Sequence, residues 1–280
     1  RLMEHIKTVP FFNEHGNAIV RATLLSGGLQ NTNFRVETES GQSFVARVPA
    51  RDAAAHGQDQ AVIFANSKAA ADAGLAPAPV AFDPSSGIIV TRFLTDGEAL
   101  SVQRLQQDRE TLLPLFVGAV KRLHKSGAVF VGSTPAQDII GGYPIEALAD
   151  VLPSSVSCTD RGTGSTELTM SRMAVLERAA RLQDLLRRSM GVFDPLVACH
   201  GDLAPTNCIV TPGVPSGTAE TAKSGCEVHL IDWEWAGPFD VMHDLAKLAL
   251  LTELQLQDDA TSKNAPTVEE EVLRLYFGSD

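Results

Sequence analysis

Two short segments of the chain place carboxylate and amide side chains directly after apolar runs. Residues 200–207 read HGDLAPTN, and residues 231–234 read IDWE. Phosphoryl transfer requires a carboxylate that orients and deprotonates the attacking hydroxyl, and oxygen ligands that hold magnesium on the nucleotide phosphates. Asp202 fits the first task. Asn207 and Asp232 fit the second, because Mg²⁺ prefers hard oxygen ligands.

The side chains around these three residues have structural as well as chemical interpretations. His200 could act as a general base, but we favour a hydrogen-bonding role that holds the loop. Asp244 is expected to support the same loop, and Glu234 either attracts a cationic substrate or lies in solvent. Trp233 and Trp235 could stack on a quaternary ammonium, but their alternation favours one face of a strand and packing in the core.

The elements that must position these residues follow from the apolar periodicity. Alternation predicts strands at residues 20–25, 33–37, 43–48, 80–82 and 88–93, with a helix at 58–73. Longer helices are predicted at 101–125 and 171–189, with short strands at 196–199 and 228–231 before the polar segments. Two stretches rich in Ser, Thr, Gly and Pro, near 153–167 and 211–225, are predicted to be surface insertions, the second looping out as a long hairpin.

Composition narrows the class of protein further. The 280 residues are 44% hydrophobic, which is enough for a buried core, and the formal net charge is -11. Nucleic-acid partners and anionic membrane surfaces are disfavoured because no basic stripe is visible. The four cysteines lack the paired short spacing of a zinc site, and no apolar run reaches the roughly 20 residues that cross a bilayer. We therefore expect a cytoplasmic protein.

The polar segments resemble the catalytic loop and metal-binding strand end of the protein-kinase-like superfamily, in its aminoglycoside phosphotransferase and choline/ethanolamine kinase branch. Residues 26–34 (SGGLQNTNF) are similar to the nucleotide-phosphate loop of this branch, and residues 44–49 (FVARVP) to its next strand. The resemblance implies an α/β (α+β) bilobal fold. A small β-rich lobe, residues 1–95, would precede a larger, mainly helical lobe, residues 96–280, with ATP between them.

The resemblance also implies further site residues and cofactors. ATP and Mg²⁺ are the expected cofactors, with Asp202 catalytic and Asn207 and Asp232 on the metal. Arg47 would contact phosphates, but the helix at 58–73 contains no glutamate to pair with it, and Asp59 is a possible substitute. The nucleotide-binding residues implied are Gly27, Gly28, Leu29, Gln30, Asn31, Arg47 and Phe93.

The acceptor implied by the resemblance is a small cationic amino-alcohol, choline or ethanolamine, with Glu234 and Trp235 as its binding residues. Thiamine and aminoglycosides are the alternatives within the branch. A pseudokinase that binds a nucleotide or a partner is the alternative from another class, favoured by the missing helix glutamate. A protein kinase is disfavoured because neither Asp-Phe-Gly nor Ala-Pro-Glu follows Asp232.

Overall fold

The structure is a computed structural model that describes residues 2–25, 31–50, 53, 58–131, 155–159, 167–174, 176–177, 196–213, 225–255 and 267–278. The chain divides into two compact units, one formed by residues 1–133 with 197–280 and the other by residues 134–196. Within the described residues, no helix is both long and apolar enough to cross a bilayer.

The N-terminal part of the first unit is a five-stranded antiparallel sheet. Its strands are Ile19–Leu24 (β1), Thr32–Thr38 (β2), Ser43–Val48 (β3), Pro79–Asp83 (β4) and Ile88–Arg92 (β5), in the order β1-β2-β3-β5-β4. Side chains on β2 and β3 alternate between buried and partly exposed, so that Phe34, Val36, Phe44 and Ala46 enter one core. This alternation is the pattern from which the strands were predicted.

Three helical segments accompany this sheet. Helix α1 (Leu2–Thr8) and a 3₁₀ turn (Pro10–Asn13) contribute apolar side chains to the same core. Helix α2 (Gln60–Asp72) starts two residues later than predicted, because the Asp59 carboxylate caps it and accepts the Ala61 N–H at 2.8 Å. Asp59 is therefore the helix cap.

The rest of the first unit is built around a second, mainly helical core. Helix α4 (Arg109–Lys125) contributes eight buried apolar residues to this core. The single helix predicted at 101–125 is broken at Asp108, whose backbone is not helical. The elements are β6 (Glu98–Ala99), α3 (Val102–Gln107), α4 (Arg109–Lys125), β9 (Val197–Cys199), a 3₁₀ turn (Pro205–Asn207), β10 (Cys208–Pro212), β11 (Cys226–Leu230), β12 (Gly237–Phe239), α5 (Val241–Gln255) and α6 (Val268–Phe277). The α/β fold class predicted from the sequence is confirmed, whereas the lobe boundary near residue 95 stays a prediction.

Strands β10 and β11 form an antiparallel hairpin that carries the second predicted insertion at its tip. Cys208 pairs with Leu230 at the open end, and Pro212 pairs with Cys226 near the tip. The Gly213 N–H then donates to the Gly225 carbonyl at 2.7 Å. The predicted long hairpin is thus confirmed, and residues 214–224 lie outside the described residues.

The second unit contains an antiparallel pair, β7 (Ser155–Thr159) with β8 (Glu167–Ser171). Part of the predicted surface insertion near 153–167 is thus strand, because Val156 and Thr169 belong to short segments of strand-forming composition. That this stretch is an insertion stays a prediction. The helix predicted from residue 171 is wrong at its start, since Ser171 ends β8. Residues 172–174 and 176–177 are helical, and residues 178–195 lie outside the described part of the chain.

Candidate active site

The loop between β9 and the following 3₁₀ turn carries the predicted catalytic residue. β9 pairs with β12, and Gly201, two residues after β9, lies directly against the Trp235 backbone. Gly201 has φ +80°, and a Cβ atom at this position would collide with the Trp235 carbonyl oxygen. Glycine is therefore required here on both conformational and steric grounds.

His200 links this loop to the segment that contains Asp232. Its ring is fully buried, and its Nε2 lies 2.9 Å from the Ile231 carbonyl oxygen. The Asp202 N–H donates to Nδ1 at 3.3 Å, so the proton of the neutral ring belongs on Nε2. Because both ring nitrogens have backbone partners, the geometry suits the scaffolding role predicted for His200.

Asp244, in the first turn of α5, is a fully buried carboxylate that binds the backbone of the loop. Its oxygens accept the N–H groups of His200 at 2.8 Å and Gly201 at 2.9 Å, and His124 Nε2 lies 3.0 Å away. Burial alone would raise the pKa of Asp244, but the hydrogen bond from His124 and the neighbouring imidazole and N–H groups hold this pKa below its ordinary value. Asp244 therefore remains ionised and holds the loop.

Asn207 is arranged so that its amide oxygen remains available. The amide nitrogen donates to the Asp202 carbonyl at 2.9 Å and to Asp202 Oδ2 at 3.1 Å. The backbone carbonyl oxygen of Asn207 accepts the Ile231 N–H at 2.9 Å, at the open end of the β10–β11 hairpin. The hairpin register thereby brings Asn207 next to the residue that precedes Asp232.

Asp232 has two features that suit a metal ligand. Its Oδ1 is buried and accepts no hydrogen bond from any described residue; the guanidinium Nη2 of Arg47 lies 3.6 Å from it. Its backbone has φ +70°, a left-handed conformation that is uncommon outside glycine and often found at functional sites. A buried carboxylate oxygen that accepts no hydrogen bond from the described residues is one of the oxygen donors that Mg²⁺ prefers. The side-chain amide oxygen of Asn207 is another donor of this kind.

Arg47 has an acidic partner that the sequence did not reveal. Its Nη2 lies 2.7 Å from Glu234 Oε2, and its Nη1 donates to Gln60 Oε1 at 2.9 Å. Glu234 is 7% exposed, which excludes the prediction that it lies in solvent. Burial and the nearby Asp232 carboxylate raise the pKa of Glu234, and Arg47 opposes that rise. The suggested substitution of Asp59 as the partner of Arg47 is wrong, because Asp59 caps α2.

The residues predicted to bind the nucleotide are described in part. Gly27, Gly28, Leu29 and Gln30 lie outside the described residues. Asn31 is buried and donates to Glu234 Oε2 at 3.3 Å, while its Oδ1 accepts the Ala50 N–H at 3.3 Å. Phe93 follows β5, and the guanidinium carbon of Arg35 lies 4.5 Å from the centroid of its ring. Asn31 therefore belongs to the same hydrogen-bonded group as Arg47 and Glu234.

The two tryptophans do not share a strand face. Residues 231–236 form a turn-containing segment between β11 and β12, so the alternation of a strand does not apply. Trp233 is 2% exposed, with its ring 4.6 Å from that of His200, whereas Trp235 is 40% exposed. The prediction of core packing is right for Trp233 and wrong for Trp235.

Three residues that contact this site were not predicted. Gln60 binds Arg47, and Asn66 on α2 donates to the Ala236 carbonyl at 3.4 Å. Lys247 on α5 lies 2.9 Å from Asp202 Oδ1. Only the contact of Lys247 had a signal in the sequence. Lys247 lies three residues after Asp244 and is therefore on the same face of the helix, which faces the loop. The other two contacts depend on how the sheet and helices come together.

The mixed fold, an antiparallel sheet followed by a mainly helical part, carries Asp202 and Asn207 on one loop and Asp232 at the end of a hairpin. Side chains of these types are the ones that phosphoryl transfer uses. The chain belongs to the phosphotransferase enzyme family (APH), whose sequence profile matches residues 21–277. The resemblance seen in the sequence is therefore confirmed.

Solved structures share the fold at low sequence identity. A choline/ethanolamine kinase family protein from Mesorhizobium loti is 22% identical, with a TM-score of 0.67 over 100% of this chain and 77% of that chain. The choline kinase LicA from Streptococcus pneumoniae is 19% identical, with a TM-score of 0.67 over 98% and 80%. The GDP and kanamycin complex of APH(2")-IIia is 14% identical, with a TM-score of 0.59 over 99% and 83%. A comparison with curated protein sequences gives no match.

Proposed function

We propose that this phosphotransferase is a small-molecule kinase that transfers the γ-phosphoryl group of ATP to an acceptor hydroxyl, with Asp202 as the catalytic base. The observation that carries the proposal is the position of the Asp202 carboxylate. Its Oδ2 accepts from the Asn207 amide, and its Oδ1 lies 2.9 Å from Lys247 Nζ. A carboxylate restrained at both oxygens is suited to orienting one hydroxyl and accepting its proton.

The proposed reaction is a single in-line displacement. The acceptor oxygen forms a bond to the γ-phosphorus, and the bond from that phosphorus to the β–γ bridging oxygen breaks, with its electron pair leaving on ADP. The hydroxyl proton passes to the Asp202 carboxylate. No covalent phospho-enzyme is required, because the catalytic groups position the reactants and stabilise charge.

Magnesium and the nucleotide fit the remaining polar groups. The Asn207 amide oxygen and the Asp232 carboxylate would hold Mg²⁺, which when bound neutralises charge on the β- and γ-phosphates. Arg47 would contact the phosphates together with the backbone amides of residues 27–31. Its pairing with Glu234 and Gln60 gives the guanidinium a defined position, and this supports the assignment.

The acceptor that we propose is a small cationic amino-alcohol of the choline or ethanolamine class. Glu234 lies close to two other carboxylates, those of Asp202 and Asp232. Repulsion from both contributes to the raised pKa of Glu234. A cationic acceptor would relieve this repulsion, and the exposed indole of Trp235 would supply an aromatic face for it. Thiamine and aminoglycosides are also cationic, so they belong in the same test.

The test is ATP consumption by the purified protein with Mg²⁺ and choline, ethanolamine, thiamine or kanamycin, with the phosphorylated acceptor identified by mass spectrometry. Asp202→Asn should lower kcat by about 10²- to 10⁴-fold while nucleotide binding remains. The control is Asp72→Asn, because Asp72 is an exposed carboxylate on α2 paired with Lys68. Phosphorylation of an acceptor at an unchanged rate in Asp202→Asn would refute the proposed role of Asp202.

A nucleotide-binding pseudokinase is the competing function from another class. The sequence favoured it because Arg47 had no visible acidic partner. The 2.7 Å contact with Glu234 removes that argument. Binding of Mg-ATP without turnover of any acceptor in the panel would nevertheless decide for the pseudokinase and against the proposed reaction.

A further inference from the structure

Lys247 on helix α5 contacts the catalytic loop at two atoms. Its Nζ lies 2.9 Å from Asp202 Oδ1 and 2.8 Å from the Gly201 carbonyl oxygen. The lysine side chain is 37% exposed and the Asp202 side chain 34% exposed, so both line an accessible surface of the site. Asp244 already restrains the backbone of the loop, and Lys247 adds a positive charge beside the Asp202 carboxylate.

Helix α5 places two opposite charges against the backbone of the same loop, and both contact Gly201. Asp244 accepts the N–H groups of His200 and Gly201, and Lys247, three residues later on the same face, donates to the Gly201 carbonyl. The backbone immediately before Asp202 is therefore held at the N–H groups of His200 and Gly201 and at the carbonyl of Gly201.

The charge of Lys247 has a second consequence at the carboxylate itself. Asn207 donates to Asp202 Oδ2 and Lys247 to Oδ1, so the plane of the carboxylate is fixed by two donors on two different elements. Arg47 places positive charge beside Asp232 and Glu234 in the same manner. Lys247 contacts Asp202 in the corresponding way, and its positive charge would offset the repulsion between that carboxylate and an incoming polyphosphate.

We propose that Lys247 is a positioning residue for phosphoryl transfer, which orients the Asp202 carboxylate toward the acceptor hydroxyl and reduces its repulsion of the γ-phosphoryl group. This inference rests on the proposed function, because it assigns Asp202 the role of base. Lys247 acts through Asp202 in every step and accepts no proton itself.

If Lys247 only positions Asp202, its replacement should lower activity without lowering the stability of the fold. A partly exposed ion pair contributes little to stability, so replacing Lys247 should leave the protein folded. The loop retains its two hydrogen bonds to Asp244. Loss of activity without loss of stability is therefore the expected signature.

The experiment compares Lys247→Met, which keeps most of the length and removes the charge, with Lys247→Arg and with Lys68→Met. Lys68 forms an exposed pair with Asp72 on α2, with Nζ–oxygen 2.7 Å, and is the matched control. Using the acceptor of the panel that is turned over fastest, Lys247→Met should lower kcat by about 10- to 100-fold. The KM for ATP should stay within about twofold of the wild-type value, since the contacts of Lys247 are with Asp202 and the Gly201 carbonyl.

Two further readouts separate positioning from structure. Lys247→Arg should recover part of the lost kcat, and ethylamine added to Lys247→Ala should recover part of it by supplying the missing ammonium group. A kcat within twofold of wild type in Lys247→Met would overturn the proposal. So would a loss that neither arginine nor ethylamine recovers and that accompanies a lower melting temperature.

A binding measurement keeps this test independent of the proposed acceptor. The complex of ADP, Mg²⁺ and aluminium tetrafluoride mimics the transferring phosphoryl group with water as the nucleophile, and its affinity can be measured by calorimetry. Lys247→Met should bind it at least fivefold more weakly than Lys68→Met while binding ADP and Mg²⁺ equally well. If the wild type phosphorylates no acceptor, the proposed function fails, and equal binding of the mimic by both variants, or by neither, overturns the role of Lys247 as well.

Discussion

Replacing Asp244 by asparagine tests the buried carboxylate that holds the catalytic loop. Asparagine has the same shape but only one side-chain oxygen, whereas Asp244 accepts from His200, Gly201 and His124. Either orientation of the amide places its NH₂ group against at least one buried donor. A hydrogen bond to a charged group contributes about 1.5–3 kcal/mol, so the loss of one or two predicts about 2–5 kcal/mol of unfolding free energy.

Urea unfolding of Asp244→Asn and Asp72→Asn measures this difference with the same chemical change in two environments. Asp72 is an exposed partner of Lys68, and its replacement should cost less than about 0.5 kcal/mol. The melting temperature of Asp244→Asn should fall by roughly 5–20 °C. Equal losses in the two variants, or no loss in either, would refute the view that Asp244 holds the loop.

The pH dependence of this effect has a definite sign. Because the pKa of Asp244 is lowered in the folded protein, its contribution is fully present above the ordinary aspartate pKa of about 3.9 and is lost as the pH falls through the lowered value. The difference in unfolding free energy between wild type and Asp244→Asn should therefore be constant between about pH 5 and 8 and shrink only below about pH 4. A difference that grew on acidification would contradict the assignment.

Two further substitutions test local geometry. Gly201→Ala should cost more than about 3 kcal/mol of unfolding free energy, because its Cβ meets the Trp235 carbonyl oxygen. Gly74→Ala, at φ +73° with nothing within 4 Å, should cost only about 1–2 kcal/mol, so equal losses would show that the contact with Trp235 is unimportant. Asp83→Asn should cost about 1–2 kcal/mol at neutral pH, because the hydrogen bonds from Ser86 and Ser85 lower the pKa of this carboxyl. That loss should fade below about pH 4 in acid titrations of stability, and a loss that persists at pH 2 would contradict it.

The parts of the site that could be predicted are those set by local sequence. Asp202 and Asn207 share one short loop and 3₁₀ turn, so their types and spacing already indicate their proximity. Asp232 joins them through the β10–β11 hairpin, of which only the second strand was predicted, from the apolar run at 228–231. The alternation of Phe44, Ala46 and Val48 likewise predicted the full extent of β3.

The contacts that escaped prediction join residues far apart in the chain. Arg47 and Glu234 are 187 positions apart, and Lys247 is 45 positions from Asp202. A sequence shows that such residues are charged, but which of them meet depends on how β3, the 231–236 segment and α5 pack. Hydrophobic periodicity does not indicate which distant charged residues meet. The sequence therefore suggested Asp59 as the partner of Arg47, although Asp59 caps α2.

The failed predictions lie where the hydrophobic pattern of the sequence is regular but the backbone is not. The apolar spacing of 101–125 is uninterrupted, yet Asp108, with φ −126° and ψ 42°, divides it into two helices. Alternation around Glu234 indicated a strand, but the chain turns there because Asp232 is left-handed. Hydrophobic patterns register which side chains are buried and are insensitive to single backbone angles.

Because β10 and β11 form a hairpin, the number of residues between Asn207 and Ile231 does not determine the distance between these two residues in space. Asn207 and Ile231 remain neighbours at the open end whatever number of residues joins Gly213 to Gly225. A pattern search that demands a fixed interval between the asparagine and the aspartate would therefore overlook relatives with longer or shorter tips. For the same reason, the tip is the natural place to insert an affinity tag or a fluorophore, because a label there lengthens the connection without altering the register of the strands.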